Sequence, residues 1–299
     1  YTGAGPDYAC QVFLEDLDVP ILAYEKVLPS ARMLVYERAK QSLGARAKSS
    51  HKGTNGHALV VGGAPGFRGA LMLAGEAAAR AGAGLVTLVG YANGPELFNA
   101  ERPELMFRAI ERPQEMAPIL SRADVVAIGP GLGLDSAAMN RFACVLESPL
   151  PLVVDADALR LLGDEPLTRD NWVLTPHPGE AAHLLKCSVA DVQADRIAAA
   201  KEIQYVYGGM VILKGAGSVI IGGDIPEVLA HGNPGMGSGG MGDVLTGIIA
   251  ALIAQGIDCQ NAARLSACIH AKAGDRAALD GERGLLARDL MPHIRRLVN

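Results

Sequence analysis

The chain has 299 residues, 49% of them hydrophobic and 20% charged, which excludes general disorder and supplies a large core. Its net charge is −5, with Lys and Arg scattered and no basic run, which argues against nucleic-acid binding. The length allows one large α/β domain or two smaller ones.

Residues 1–29 differ in character from the rest of the chain. They carry turn signals, one amphipathic strand-like piece and Pro29, and are too few to build a core. Ser30 is placed to cap a helix through ARMLVYERAKQSLGA, and RAKSSHKGTNG reads as a polar loop. From residue 57 a repeated pattern begins. HALVVGG is a short apolar run ending in glycines, GALMLAGEAAARAGAG is an Ala-rich helix stopped by glycine, and LVTLVG is a strand. DVVAIGPGLG, PLVVDADAL, WVLTPHPGE and MVILKGAGS each open on an apolar run and break into Gly, Pro or charged residues. Continuous β-branched runs alternating with helices predict an α/β fold with a mostly parallel sheet buried on both faces. Ligands of such sheets sit beyond the carboxyl ends of the strands, where the unusual residues of this chain lie.

The segment after residue 243 reads as helical. VLTGIIAALIAQG carries apolar pairs at 244/245, 248/249 and 252/253, followed by the amphipathic stretches DCQNAARLSACIHAKAGDRAAL and LARDLMPHIRRLV. Five cysteines (Cys10, Cys144, Cys187, Cys259, Cys268) are widely spaced with no C-x-x-C pair, and are expected to be reduced, mostly buried thiols of a cytosolic protein. No apolar run is long enough to span a bilayer, so no membrane partner is expected. The first residue is Tyr1, not Met, which fits a fragment of a longer protein.

Gly232–Asp243, GNPGMGSGGMGD, holds six glycines in its first eleven residues and runs straight into an apolar helix. A flexible linker fits poorly, because Pro234, Met236 and Met241 interrupt it. Gly237, Gly239 and Gly242 satisfy G-x-G-x-x-G, but the motif belongs after a first strand and here sits late in the chain. The third reading is an anion hole, in which successive backbone N–H groups converge on a phosphate at a helix N-terminus. Asp243 would stand in the first turn, either as a base for an attacking hydroxyl or as an ordinary cap. There is no Walker A sequence and no G-x-S-x-G.

GNPGMGSGGMGDVLTG resembles the signature of the ribokinase-like superfamily. Together with HKGTNGHALVVGGAPGFRGALMLAGEAAARAGAGLVTL, IGPGLG, VVDADAL, LTPHPGEAAHLL and LKGAGS, in that order over roughly 50–299, the chain resembles the ADP-dependent NAD(P)H-hydrate dehydratases. Residues 1–29, through YTGAGPDY and FLEDLDVP, resemble the end of the NAD(P)HX epimerase domain of bifunctional members, leaving 30–299 as the dehydratase domain. The rest of an epimerase is absent, so no epimerisation is expected.

The resemblance implies a ribokinase-like α/β fold, with helices on both faces of a central mostly parallel sheet. It also implies ADP-dependent dehydration of NADHX or NADPHX, giving NADH or NADPH with AMP and phosphate. Asp243 matches the catalytic base, and Gly239, Gly240 and Gly242 match the anion hole. Lys214, Gly215, Ala216, Gly217 and Ser218 match the segment that binds the adenylate part; Ser218 stands where Thr is frequent. Ala70, Gly131 and His177 match positions lining the hydrated nicotinamide. Asp155 is a weaker candidate near the phosphates or a metal. Mg²⁺ is expected from phosphoryl transfer, with no ligands assigned, along with a cytoplasmic homo-oligomer, a tetramer by likeness.

Plainer readings stand beside these. His177 is also placed to cap a helix carrying Glu180 in its first turn, Lys214 could be a solvated lysine, and Asp155 and Asp157 could be turn formers. Gly131 and Gly133 could serve only a tight turn. His177 and His183 are six apart, which does not suit paired helical metal ligands. A small-molecule kinase of the same superfamily is the alternative activity. A non-catalytic nucleotide sensor is a third, opposed by the retained Asp243 and intact glycine stretch.

Overall fold

The computed structural model describes residues 2–9, 12–27, 29–91 and 102–299. Their strands form one ten-stranded sheet. From one edge it runs β1 (Arg32–Leu34), β10 (Glu227–Leu229), β9 (Val219–Ile221), β8 (Met210–Leu213), β7 (Trp172–Leu174) and β6 (Leu152–Val154). It continues through β5 (Val125–Ile128), β2 (His57–Val61) and β3 (Leu85–Gly90) to β4 (Met106–Ala109) at the other edge. From β8 to β4 every pair is parallel. β9 is antiparallel to β8 and to β10, and β1 pairs parallel with β10. The sheet is therefore mostly parallel, as its apolar runs predict.

The central strands are buried on both faces, and alternate residues enter different cores. Ala58 and Val60 of β2 face one core, Leu59 and Val61 the other; in β5, Val125 and Ala127 oppose Val126 and Ile128. The first core is closed by α1 (Arg68–Arg80), α6 (Met241–Ala254), α7 (Cys259–Ala277) and α8 (Met291–Leu297). The second is closed by α2 (Ser136–Leu146), α3 (Ala156–Asp164), α4 (Pro178–Leu185) and α5 (Arg196–Tyr207). In α6 every residue from Val244 to Ala254 is buried. Burying Val244, Leu245, Ile248, Ile249 and Leu252 contributes about 1.5–3 kcal/mol each, which outweighs the roughly 0.5–1 kcal/mol that ordering each preceding glycine costs. This is how a glycine-rich stretch is anchored.

The chain before residue 45 departs from its sequence pattern. The strand-like piece is not seen among the described residues before Pro29: Gly5–Tyr8 and Ile21–Lys26 form short helices, and the segment is largely exposed. The helix expected after Ser30 is replaced by β1, then a single helical turn Tyr36–Ala39 and a 3-10 turn Lys40–Ser42. The Arg32 N–H donates to the Pro226 carbonyl at 2.8 Å, starting a ladder with β10 that local helix propensity does not outweigh. The polar loop 46–56 forms as expected. The expectation of mostly buried thiols also fails. Cys268 is buried, Cys144 and Cys259 are half-buried and Cys187 is exposed, all free; Cys10 lies outside the described residues. No helix among the described residues is long and apolar enough to cross a membrane.

Candidate active site

Asp155, Thr175 and Lys214 follow β6, β7 and β8 directly, so three adjacent parallel strands deliver them to one edge of the sheet. Asp155 is 1% exposed. Its Oδ1 accepts from Lys214 Nζ at 2.7 Å and from the Thr175 hydroxyl at 2.8 Å, and its Oδ2 accepts from the Thr246 hydroxyl of α6 at 2.8 Å. Lys214 Nζ also lies 3.6 Å from Glu180 Oε2. Burial alone would raise the Asp155 carboxyl, but the Lys214 charge and the three hydrogen bonds hold it below its ordinary range. Burial likewise opposes the charge on Lys214, and Asp155 and Glu180 overcome it to hold the ammonium above its ordinary value. Lys214 is thus an ion-paired group under the site, not a solvated lysine.

The first turn of α6 lies over this pair. A Cβ on Gly242 would stand 3.3 Å from Lys214 Nζ and 3.7 Å from Asp155 Oδ2. Asp243 is next in the chain. Its carboxyl is pushed up to about 7, first by burial, then by the negative charge of Asp155, with Asp157 and Glu180 adding and Lys214 opposing. A carboxyl at that value exchanges protons near neutral pH. No side chain caps this helix end, so its first N–H groups and the dipole are left for an anion.

Gly240 is the cap residue with φ +90°, and a Cβ there would lie 2.5 Å from Leu73 Cδ1 and 3.1 Å from Ala287 Cβ. Gly239 is exposed and open on its Cβ side. The two positions separate backbone strain from ligand access. Gly240→Ala is expected to cost about 1–3 kcal/mol in chemical denaturation, the usual scale of a strained backbone residue. Gly239→Ala is expected to stay within about 0.5 kcal/mol of the parent and to weaken nucleotide binding instead. Equal stability of both variants would count against this reading of Gly240.

The remaining residues singled out in the sequence surround this centre. His177 caps α4: its Nδ1 accepts from the Gly179 and Glu180 N–H groups at 2.9 and 3.2 Å, and Glu180 Oε2 accepts from the His177 N–H at 2.7 Å. The capping role is therefore realised, while Glu180 places a carboxylate on Lys214. Gly131, at φ +57°, packs on Phe67, whose carbonyl accepts from the Ala70 N–H at 3.2 Å, so Ala70 and Gly131 share one wall. Asp157 Oδ2 accepts from the Gly133 N–H at 2.8 Å. Gly215–Ser218 form a turn closed by the Ser218 hydroxyl on the Gly215 carbonyl at 3.1 Å, and the Ala216 carbonyl accepts from the Gly3 N–H at 3.0 Å. Of the segment 214–218, Lys214 is the residue whose charge acts on Asp243.

Thr175, Thr246 and the role of Glu180 escape the sequence reading. One signal is available: Thr246 sits three residues after Asp243, on the same face of a helix. Thr175 and Glu180 lie inside TPHPGE, where the histidine is the more conspicuous residue.

A mostly parallel sheet, an uncapped glycine-led helix N-terminus and a raised carboxyl beside a buried Asp–Lys pair define an α/β enzyme of the ribokinase-like class. Comparison with solved structures agrees. A ribokinase-like superfamily protein of Enterococcus faecalis V583 superposes with TM-score 0.83 at 26% identity, covering 91% of this chain and 96% of that one. The ADP/ATP-dependent NAD(P)H-hydrate dehydratase of Bacillus subtilis, co-crystallised with ATP/Mg²⁺, superposes with TM-score 0.79 at 27% identity, covering 89% and 97%.

The chain belongs to the NAD(P)H-hydrate dehydratase family, whose model matches residues 58–296. It is 44% identical to a bifunctional NAD(P)H-hydrate repair enzyme of Coxiella burnetii over its full length, spanning 62% of that protein. It is 40% identical to the ADP-dependent (S)-NAD(P)H-hydrate dehydratase of Neisseria meningitidis, over 85% of this chain and 89% of that one.

Proposed function

We propose that the chain dehydrates the hydrates of NADH and NADPH with consumption of ADP. The observation that supports this most is Asp243, a carboxyl raised to about 7 at an uncapped helix N-terminus beside Asp155 and Lys214. Hydroxide is a poor leaving group, so the hydroxyl of the hydrate is first phosphorylated. Asp243 takes the hydroxyl proton as that oxygen attacks the β-phosphorus of ADP, and the bond to AMP breaks. The N–H groups at the start of α6 stabilise the phosphoryl oxygens in transit. The ring nitrogen lone pair then expels phosphate, leaving a ring iminium, and loss of a proton from the adjacent ring carbon to water restores the reduced nicotinamide. Lys214 is assigned to the phosphate side of the site, Gly215–Ser218 to the adenylate, and Ala70, Gly131 and His177 to the nicotinamide side.

The described residues contain no group of three or more His, Cys, Asp or Glu that could hold a metal by themselves. Mg²⁺ needs only one or two carboxylates besides phosphates and water. Asp155 is buried with both oxygens taken by Lys214, Thr175 and Thr246, and Glu180 Oε2 accepts from the His177 N–H. As they stand these two carboxylates do not hold an ion, and one would come bound to the nucleotide phosphates. Such an ion would neutralise phosphate charge. Residues 30–299 are read as the dehydratase unit and 1–29 as the end of a preceding one. A cytoplasmic homotetramer completes the proposal, to be checked by light scattering in solution.

The deciding assay supplies NADHX with ADP or ATP and follows nicotinamide absorbance together with phosphate release. Recovery that needs no nucleotide, beyond the spontaneous rate, would overturn the reading. A stable phosphate ester would favour the kinase alternative. The pH dependence adds a second check. The free-enzyme kcat/KM is expected to rise with pH to a plateau, with an apparent pKa near 7 that is absent in Asp243→Asn. Because the folded carboxyl sits above its ordinary value of 3.8, its contribution to stability is lost as pH rises from there through about 7.

A further inference from the structure

The glycine stretch is tied down at its front by a side chain with no part in the chemistry above. Asp275 lies in the last turn of α7. Its Oδ2 accepts from the Gly232 N–H at 3.1 Å and its Oδ1 accepts from Asn233 Nδ2 at 3.0 Å. The Asn233 Oδ1 in turn accepts from the Gly235 N–H at 3.0 Å, capping the 3-10 turn Pro234–Met236. His231 Nδ1 lies 3.8 Å from Asp275 Oδ2. One carboxylate therefore reaches three consecutive residues, His231 to Asn233, and sets the N–H of a fourth through Asn233.

The far end of the stretch is held differently. The Ser238 hydroxyl donates to the Leu285 carbonyl at 3.0 Å, and Gly240 is pressed between Leu73 and Ala287. Between these ties Gly237 is held by its N–H donating to the Pro234 carbonyl at 3.0 Å, while the Cβ side of Gly239 is open. Glycine has the most backbone freedom to lose, so the direction in which the chain enters α6 depends on the two ends. Hydrogen bonds to a carboxylate are stronger than neutral ones, which suits Asp275 to that task.

We infer that Asp275 is a positioning residue that, through Gly232 and Asn233, fixes the anion-binding stretch leading to Asp243; this rests on the proposed phosphoryl transfer. The hydrogen-bond pattern supplies a specific test. Asp275→Asn sets two amide donors facing each other, and Asn233→Asp sets two carboxylates facing each other. Combining the two substitutions restores all three bonds, with the direction of the one between the two side chains reversed. The amide now at position 275 accepts from the Gly232 N–H and donates to the carboxylate now at position 233, which accepts from the Gly235 N–H.

Each single variant is expected to lower kcat by about 10- to 100-fold, as loss of a charge-assisted bond predicts, with a smaller change in KM for NADHX and a melting temperature lowered by a few degrees. The double variant is expected to return to within a few-fold of the parent. Backbone hydrogen exchange at residues 232–240 is read in parallel, expected to speed up in the singles and to return in the double. Singles that retain parental kcat and exchange, or a double whose losses simply add, would overturn the inference. A parent protein inactive on NADHX would defeat the proposed function alone, because the exchange pattern would still judge the role of Asp275.

Discussion

Asp243→Asn is expected to lower turnover of NADHX with ADP by at least about a thousand-fold, within the range seen when a general base and its coupled charge are lost together. Asparagine keeps the size of the side chain, so the α6 N-terminus and the Asp155–Lys214 pair below it stay in place. Nucleotide affinity is therefore expected to change little, and removing a negative charge beside the phosphates should if anything tighten it. Steady-state kinetics paired with titration calorimetry separates the two effects. Turnover within tenfold of the parent would mean that the hydroxyl proton leaves by another route. A parallel loss of nucleotide binding would mean that Asp243 shapes the site instead of acting on the substrate.

Asp155→Ala is expected to destabilise the fold by about 3–5 kcal/mol, the cost of removing one partner of a buried ion pair. The physical reason is specific to this arrangement. The substitution leaves the Lys214 ammonium with Glu180 at 3.6 Å and the charge of Asp243, and strips the Thr175 and Thr246 hydroxyls of their shared acceptor. At about 2–4 °C per kcal/mol the melting temperature should fall by roughly 6–20 °C. The double variant Asp155→Ala with Lys214→Met should recover much of that loss, because it removes the stranded charge as well. If the single variant melts within about 2 °C of the parent, the pair is not a buried, mutually dependent unit. The carboxyl is held below its ordinary value of 3.8 and the ammonium above its ordinary 10.5. The pair therefore stabilises the fold between those limits and weakens as pH leaves them at either end.

Much of the fold is legible locally. From His57 onward the apolar runs, the glycines that stop them and the paired apolar residues of α6 all correspond to observed elements, because a doubly buried strand and a buried helix each impose their own pattern on adjacent residues. The chain before residue 45 is not legible in this way. Arg32–Leu34 has no strand pattern of its own and becomes β1 only because β10, far along the chain, offers an edge.

The candidate site divides along the same line. Local sequence determined that a glycine-led helix carries Asp243 and that His177 precedes a helix with Glu180, since caps, turns and first-turn charges are set within a few residues. Tertiary structure alone decided that Lys214 meets Asp155 across β7, that Thr175 and Thr246 complete that carboxylate, and that Asp275 holds the glycine stretch from α7. Those contacts join residues far apart in the chain, and they depend on strand order and helix packing, which no local periodicity encodes.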